Sequence, residues 1–220
     1  LDRFGIRLIP AKGGCCGAIS HHMAAVEEAR ELMRRNIDAC WAQIEAGAEA
    51  IVMTASGCGA HLRDYGHLLR DDPAYHDKAA RVAAMTLDIA EVVAREWPSQ
   101  LVVQPADPPR RIAFQSPCSL QHGQRLNGVV ERLLKRAGFR LIPVDYPFMC
   151  CGSAGTYSLL QPALAESLRE QKLHTLTRSR PTMIATANIG CLMHLAAASP
   201  VPVGHWIELL DDALSARRDG

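Results

Sequence analysis

Residues 134–143 read LKRAGFRLIP and match residues 1–10, LDRFGIRLIP, at seven of ten positions. Each of these stretches runs on through a short loop to Cys-Cys-Gly, at residues 15–17 and 150–152. Farther along each half, an apolar run ends in the hexapeptide Gly-Cys-x-x-His-Leu. Self-similarity of this kind is the sequence signature of an internal duplication. The sequence therefore predicts two tandem copies of one unit.

The two copies also keep their cysteines at nearly equal spacing. Forty-one residues separate Cys16 from Cys58, and 39 separate Cys151 from Cys191. The second copy has a further cysteine, Cys118, whose counterpart in the first copy would precede residue 1. We therefore expect the chain to begin inside its first copy, so that the start of that copy is missing.

Strand and helix patterns alternate along both copies, which favours parallel sheets flanked by helices. Apolar spacing predicts helices over residues 23–45, 77–97, 127–136, 163–176 and 206–216, and short strands over 50–53, 110–115, 140–143 and 183–185. The proline-rich stretch QPADPPRR at residues 104–111 is the best boundary between the copies. The predicted fold class is α/β, with two duplicated repeats, 1–104 and 105–220, each a small parallel sheet flanked by helices.

Composition and charge limit the classes of protein to which the chain can belong. Hydrophobic residues make up 48% of the 220 residues and charged residues 21%, which is the balance of a globular domain and not of a disordered chain. A net charge of +1 gives no broad attraction for nucleic acid or an anionic membrane, so we expect no nucleic-acid partner. No apolar run is long enough to predict a transmembrane segment, and the N-terminus shows no signal pattern.

Seven of the eight cysteines follow the repeat pattern, and we expect reduced thiols in a cytoplasmic protein. Residues just past the carboxyl ends of parallel strands share one crevice, so four thiols of the second copy are expected to converge there: Cys118, Cys150, Cys151 and Cys191. Cys15, Cys16 and Cys58 form the incomplete set of the first copy. Thiolate-rich ligation suits zinc or an iron–sulfur cluster, and ligand type alone leaves both open. Buried small hydrophobic residues are the simpler alternative.

The pattern Cys118–x31–Cys150-Cys151-Gly152–x39–Cys191 resembles the CCG cysteine-rich domains of the heterodisulfide reductase family. The stretches SPCSLQHGQRL, CCGSAGTYSLLQP, TANIGCLMHL and HWIELLDDAL resemble in particular the iron–sulfur subunits of glycolate oxidases, also called glycolate dehydrogenases. This similarity extends over essentially the whole chain.

The resemblance implies an oxidoreductase subunit that relays electrons from flavin to an acceptor such as quinone, with no catalytic residue of its own. It implies an iron–sulfur cluster of [4Fe-4S] type, cubane or non-cubane, on the cysteines of each complete repeat. FAD and substrate would lie on partner flavoprotein subunits, and a ferredoxin-like region would precede this chain. The complex would be cytoplasmic, or peripheral to the inner face of the membrane. In the heterodisulfide reductases the last motif is Cys-x-x-Cys, whereas here His61 and His194 take the final place. The two histidines are therefore either candidate ligands or hydrogen-bonded residues near a helix start.

Two other functions remain open at the level of sequence. The second copy's vicinal pair could perform thiol–disulfide or heterodisulfide chemistry, which requires a thiolate of low pKa. Alternatively, the thiols could hold structural zinc in a scaffold protein, which a chelator would destabilise.

Overall fold

The computed structural model describes residues 1–103 and 108–215 of the chain. The chain divides into two compact units, and the second unit begins at Trp97. The proposed boundary between residues 104 and 105 lies outside the described residues, as does the end of the helix predicted over 206–216. Within the described residues, no helix is long and apolar enough to span a membrane.

Unit 1 comprises Leu1–Glu96 and contains a two-stranded parallel sheet surrounded by helices. After a 3-10 turn at Asp2–Phe4, its elements are α1 (Ala18–His22), α2 (Val26–Glu45), β1 (Ile51–Met53), α3 (Ser56–Arg63), α4 (Tyr65–Leu68), α5 (His76–Met85), β2 (Thr86–Asp88) and α6 (Ile89–Glu96). The core is formed where one face of α2 packs on α3, α4 and α5, with Met33, Ile37, Tyr65 and Val82 almost completely buried.

The prediction of one helix over residues 77–97 is wrong, because strand β2 divides it. Thr86, Leu87 and Asp88 pair in parallel with Ile51–Met53. Asp88 then accepts a hydrogen bond from the backbone N–H of Ala90 at 2.9 Å, at the start of α6. The apolar residues before and after the strand keep helical spacing, so a three-residue strand between them leaves no visible break in the pattern.

The helix predicted over residues 23–45 begins three residues later than expected. Ala24 has a φ of 61°, a left-handed conformation that no α-helix contains, and it separates α1 from α2. Met23 and Val26 are consequently not part of the core face and are 50% and 44% exposed. The remaining apolar positions of the predicted stripe lie on α2 as expected.

Unit 2 contains a four-stranded parallel sheet in the order β4-β3-β5-β6. Its elements are β3 (Arg111–Gln115), a π-helical turn (Ser119–Gly123), α7 (Val129–Arg136), β4 (Arg140–Leu141), α8 (Tyr157–Leu160), α9 (Pro162–Thr177), β5 (Met183–Thr186), α10 (Ile189–Ala196), β6 (Val203–His205) and α11 (Trp206–Ser215). The central strands β3 and β5 are in register from Ile112 opposite Met183 to Gln115 opposite Thr186, so both end at the same edge.

The predicted fold class is confirmed, because the chain is mixed α/β with two small parallel sheets flanked by helices. Both sheets are built from short strands, and the central strands β3 and β5 of unit 2 are mostly buried, as expected where helices cover both faces of a parallel sheet. The sequence pattern did not predict β2 or β6. In unit 2 the carboxyl edge of β3, β4 and β5 leads directly into the segments that hold the cysteines.

Candidate metal centre

Four cysteines of unit 2 follow three neighbouring strands at the carboxyl edge of the sheet. Cys118 comes three residues after β3 and enters the π-helical turn, and Cys191 lies in the first turn of α10 after β5. Cys150 and Cys151 lie in the long loop that follows β4. Open α/β sheets bind their ligands at this edge. The sequence prediction that these residues share one crevice therefore agrees with their positions.

The four sulfur atoms form a continuous set of contacts. Sγ of Cys151 lies 3.0 Å from Sγ of Cys191, and Cys150 interacts with both Cys118 and Cys151. Two N–H groups are directed at the sulfurs: the backbone N–H of Gly152 donates to Cys150 Sγ at 3.3 Å, and the Asn188 side-chain amide donates to Cys191 Sγ at 3.8 Å.

Proton affinity alternates along this set of thiols. Hydrogen bonds from Cys118 and then Cys151 hold the pKa of Cys150 well below the usual thiol value, and a hydrogen bond from Cys151 lowers the pKa of Cys191. The pKa values of the donors Cys118 and Cys151 are raised, because ionisation would break these same hydrogen bonds. Along the set, cysteines that hold their proton more tightly, Cys118 and Cys151, therefore alternate with cysteines that release it more readily, Cys150 and Cys191.

Gly152 lets the cysteine pair approach helix α9 closely. Its φ is 92°, and a Cβ at this position would lie 2.3 Å from the carbonyl oxygen of Ala165 and 3.0 Å from Nε2 of His194. Only glycine fits both the backbone conformation and the space. Nε2 of His194 lies 3.3 Å from the same Ala165 oxygen. The candidate ligand His194 thus packs on the Cys-Cys-Gly turn, with this nitrogen engaged by a backbone carbonyl.

A buried lysine beside the thiols was missed by sequence reasoning. Lys172 on α9 is 1% exposed, and its Nζ donates to the carbonyl oxygens of Pro147 at 3.1 Å and Tyr146 at 3.4 Å. Burial lowers the pKa of Lys172, while the four neighbouring cysteines act in the opposite direction. The segment LREQKLHTL reads as an ordinary amphipathic helix, so nothing in it distinguishes this lysine from an exposed one.

Unit 1 brings together three cysteines in the corresponding place. Cys16 is buried, Cys58 in the first turn of α3 is half-buried, and Cys15 is exposed. A hydrogen bond from Cys58 lowers the pKa of Cys16 to about 6, and the pKa of Cys58 is raised. The buried hydroxyl of Tyr65 donates to the carbonyl oxygen of Cys16 at 2.7 Å and so fixes the backbone of the pair. This tyrosine was also missed from the sequence.

His61, the other candidate ligand, lies among rings. Its ring centroid is 5.5 Å from that of His21, 6.2 Å from that of His22 and 5.6 Å from that of Tyr65. The side chain is 5% exposed, and burial, followed by the two nearby histidines, lowers its pKa to about 4. Its Nε2 is buried and makes no hydrogen bond within the described residues. The imidazole is therefore held neutral.

The residues of unit 2 supply the sulfur donors that both zinc and iron–sulfur groups use. Across residues 1–103 and 108–215, no three His, Cys, Asp or Glu side chains converge as a ready site for one metal ion. Zinc at about 2.3 Å from each of four sulfurs would hold them about 3.8 Å apart, and sulfur ligands on separate iron atoms lie farther apart still, so the 3.0 Å contact between Cys151 and Cys191 must open for either group to bind. Four thiols with N–H donors directed at two of them are the donor set that iron–sulfur clusters use.

The fold and the site together define a class: a duplicated α/β protein that gathers thiols at the carboxyl edge of a parallel sheet. The profile of the CCG family, described as "Cysteine-rich domain", matches residues 2–63 and 112–196. The two matches fall one in each unit and together make up more than half of the chain. The chain therefore belongs to the CCG cysteine-rich domain family.

Individual relatives agree with this assignment. The chain is 49% identical over 97% of its length to the glycolate oxidase iron-sulfur subunit of Escherichia coli (strain K12), of which it covers 52%. It is 30% identical over 86% of its length to a probable glycolate oxidase iron-sulfur subunit of Bacillus subtilis (strain 168), of which it covers 42%. A lactate utilization protein A of Geobacillus thermodenitrificans is 28% identical over 96% of the chain and is 88% covered. The chain thus spans about half the length of the first two relatives.

Proposed function

We propose that the chain is the electron-transfer part of a flavin-dependent enzyme that oxidises glycolate, or a closely related 2-hydroxy acid, to the 2-oxo acid. The convergence of Cys118, Cys150, Cys151 and Cys191 at one sheet edge is the observation that carries this proposal. The iron–sulfur and glycolate oxidase names of two relatives supply the reaction class. No residue of this chain performs chemistry on the substrate in this proposal.

The four cysteines of unit 2 hold an iron–sulfur cluster of [4Fe-4S] type in this proposal. When bound, such a group supplies one-electron redox chemistry. The N–H groups of Gly152 and Asn188 donate to the ligand sulfurs, which favours the thiolate form and raises the reduction potential. His194 supports the turn that carries Cys150 and Cys151.

Unit 1 is proposed as the weaker site. It offers Cys15, Cys16 and Cys58, with His61 as the remaining candidate ligand. Three thiols give one donor fewer than in unit 2, and a neutral imidazole is a competent fourth ligand for iron or zinc. Occupancy of this site is expected to be lower than that of unit 2.

The partners would be flavoprotein subunits carrying FAD, with a quinone or similar acceptor for the electrons. Exposed apolar side chains next to the ligand cysteines support an interface with another protein: Phe148 is 65% exposed, Ile189 55% and Met193 64%. Exposed apolar side chains that form a contiguous patch mark interaction surfaces. An electron relay requires a partner to approach the cluster closely. The complex would lie in the cytoplasm or at the inner face of the membrane.

Anaerobic purification followed by iron, zinc and sulfide analysis and electron paramagnetic resonance tests the proposal. The parent chain is expected to contain iron and sulfide, and Cys151→Ser is expected to lose both. Cys40→Ser is the matched control, because Cys40 lies on α2 and packs in the core of unit 1, with Sγ donating to the Ile37 carbonyl at 3.3 Å. Zinc without sulfide would instead identify a structural scaffold.

Thiol–disulfide chemistry is the second candidate, and the 3.0 Å contact between Cys151 and Cys191 favours it. In that reaction the two thiols lose two electrons and two protons and form one S–S bond, while a substrate disulfide accepts them and becomes two thiols. Metal-free parent protein that reduces disulfides stoichiometrically, with activity lost in Cys191→Ser, would support this function and exclude the relay.

A further inference from the structure

The ammonium group of Lys172 is buried without a carboxylate partner. The side chain is 1% exposed, and its hydrogen bonds go to two backbone carbonyls, those of Tyr146 and Pro147. In the described part of the chain, no Asp or Glu forms an ion pair with it. Burial of a charge is costly unless an opposite charge compensates it. The four cysteines of unit 2 lie close enough to act electrostatically on this ammonium, and they oppose the lowering of its pKa by burial.

The duplication supplies an internal reference for this position. Gly17 packs on the carbonyl oxygen of Ala29 and Gly152 on that of Ala165, which aligns helices α2 and α9. Seven residues after these alanines come Asn36 in unit 1 and Lys172 in unit 2. The two residues therefore occupy equivalent places relative to the same glycine contact.

Both residues anchor the loop that leads into the cysteine pair. The Asn36 side chain donates to the carbonyl oxygen of Cys15 at 2.7 Å and accepts from the N–H of Gly14 at 3.0 Å. Lys172 donates to the carbonyls of Tyr146 and Pro147 in the equivalent loop. A neutral amide thus suffices for anchoring in unit 1. Loop anchoring alone therefore does not explain why unit 2 has a positively charged residue at this position.

We propose that Lys172 is the counter-cation of the thiolate site in unit 2. Its charge stabilises anionic sulfur ligands and so strengthens the binding of a thiophilic metal. Because one-electron reduction adds one negative charge to the centre, the same cation raises the reduction potential of a bound iron–sulfur group. The second consequence rests on the proposed function, whereas the first requires only that thiolates gather in unit 2.

Cobalt(II) titration of the reduced, metal-free chain under anaerobic conditions tests the first consequence, with the thiolate-to-cobalt absorption as the signal. Lys172→Gln keeps an N–H donor and removes the charge, and it is expected to weaken cobalt binding on the order of tenfold. Lys172→Arg keeps the charge and is expected to bind like the parent. Lys135→Gln, which removes the charge of an exposed lysine on α7, is the control and is expected to leave binding unchanged.

Three results would overturn the proposal. Lys172→Gln could bind cobalt as tightly as the parent, Lys172→Arg could be as weak as Lys172→Gln, or the parent could bind no cobalt through thiolates. Urea unfolding of the metal-free variants separates a structural role from an electrostatic one. A counter-cation predicts that Lys172→Gln loses cobalt affinity even under conditions where the variant and the parent are equally folded, because the lost charge acts on the metal-binding thiolates. Loss of stability with unchanged cobalt affinity would assign loop anchoring alone.

A redox titration of the iron-loaded chain tests the second consequence. Lys172→Gln is expected to shift the reduction equilibrium about tenfold towards the oxidised state, which corresponds to about 59 mV for one electron. The two proposals fail in different ways. A chain that holds no iron but shows the cobalt effect would refute the electron relay and leave the counter-cation in place. Iron-loaded variants with equal potentials would refute the role of Lys172 in redox tuning.

Discussion

Unit 1 and unit 2 carry the same cysteine motif on the same kind of sheet, but they provide different surroundings for it. Unit 2 gathers four thiols, of which two have lowered pKa values, beside a buried lysine. Unit 1 gathers three thiols, of which Cys16 has a clearly lowered pKa, beside a neutral asparagine and a buried tyrosine. The backbone of the motif has thus been kept in both copies, whereas the charge around it has not.

The contrast between the units separates the geometric part of the motif from its electrostatic part. Gly17 and Gly152 have nearly the same positive φ, 86° and 92°, and both face a helix carbonyl. That feature fixes the path of the chain through the cysteine pair. The residue that braces the preceding loop varies with the number of thiols it accompanies. Cluster binding is therefore expected to depend on unit 2 far more than on unit 1.

The largest difference between the units is expected when the distal cysteine of each is removed in turn. Cys191→Ser is expected to abolish iron and sulfide binding, because it takes one of four adjacent ligands. Cys58→Ser is expected to leave most of the iron in place. Metal analysis and electron paramagnetic resonance measure both. Equal losses from the two variants would show that the units load alike and would contradict the asymmetry.

Substitution of the glycine after each cysteine pair is expected to give the next largest effect, a loss of unfolding free energy. Gly152→Ala places a Cβ 2.3 Å from a carbonyl oxygen at positive φ and is expected to cost about 3 kcal/mol of unfolding free energy. Gly17→Ala meets the Ala29 oxygen at 3.0 Å and is expected to cost about 1 kcal/mol. Urea unfolding followed by circular dichroism compares them. A larger loss of unfolding free energy at Gly17 than at Gly152 would contradict this prediction.

We expect His61 to make the stability of unit 1 sensitive to acid. Its pKa is about 4 in the folded chain against 6.5 ordinarily, so the unfolded chain binds the proton more readily. Stability from the neutral ring is complete above pH 6.5 and is lost as pH falls towards 4, by up to about 3 kcal/mol. Urea unfolding of metal-free protein between these pH values measures the slope. His61→Gln is expected to flatten it, and an unchanged slope would place the titrating group elsewhere.

The smallest effect concerns the tyrosine that holds the cysteine pair of unit 1. Tyr65→Phe leaves the carbonyl oxygen of Cys16 without this hydrogen bond in a buried place and is expected to cost about 1–2 kcal/mol. Tyr75→Phe is the control, because its hydroxyl donates to the exposed carboxylate of Asp38 and its loss should change stability by less than about 0.5 kcal/mol. Thermal unfolding of both variants tests this difference. Equal shifts of the melting temperature in the two variants would mean that burial does not increase the contribution of the Tyr65 hydrogen bond to stability.

Sequence patterns predicted the internal duplication and the alternation of strands and helices. The duplication and the positions of Cys118, Cys150, Cys151 and Cys191 behind strands of unit 2 followed from spacing, and strand β3 was predicted to within one residue. Features set by only a few residues were not predictable. Strand β2 is three residues long between two helices of matching apolar spacing, so its pairing with β1 leaves no periodic signal.

The residues that support the cysteines could also not be predicted from the sequence. Lys172 and Tyr65 lie on helices whose polar and apolar positions look ordinary, and their roles depend on which side chains face the cysteines. A lysine in a helix usually lies in solvent, so burial of this one could not be expected without the packing of α9. Asn36 became informative only when the glycine contacts aligned the two units.

The alternating proton affinity in unit 2 also has a consequence for covalent chemistry. Cys150 combines a strongly lowered pKa with partial exposure, whereas the more exposed Cys118 has a raised pKa and Cys191, whose pKa is also lowered, is buried. Electrophiles and peroxides select an accessible thiolate. Alkylating reagents should therefore modify Cys150 first, and oxidation to the sulfenic acid should begin at the same sulfur. An incoming metal ion and an oxidant would then compete for the same sulfur atom.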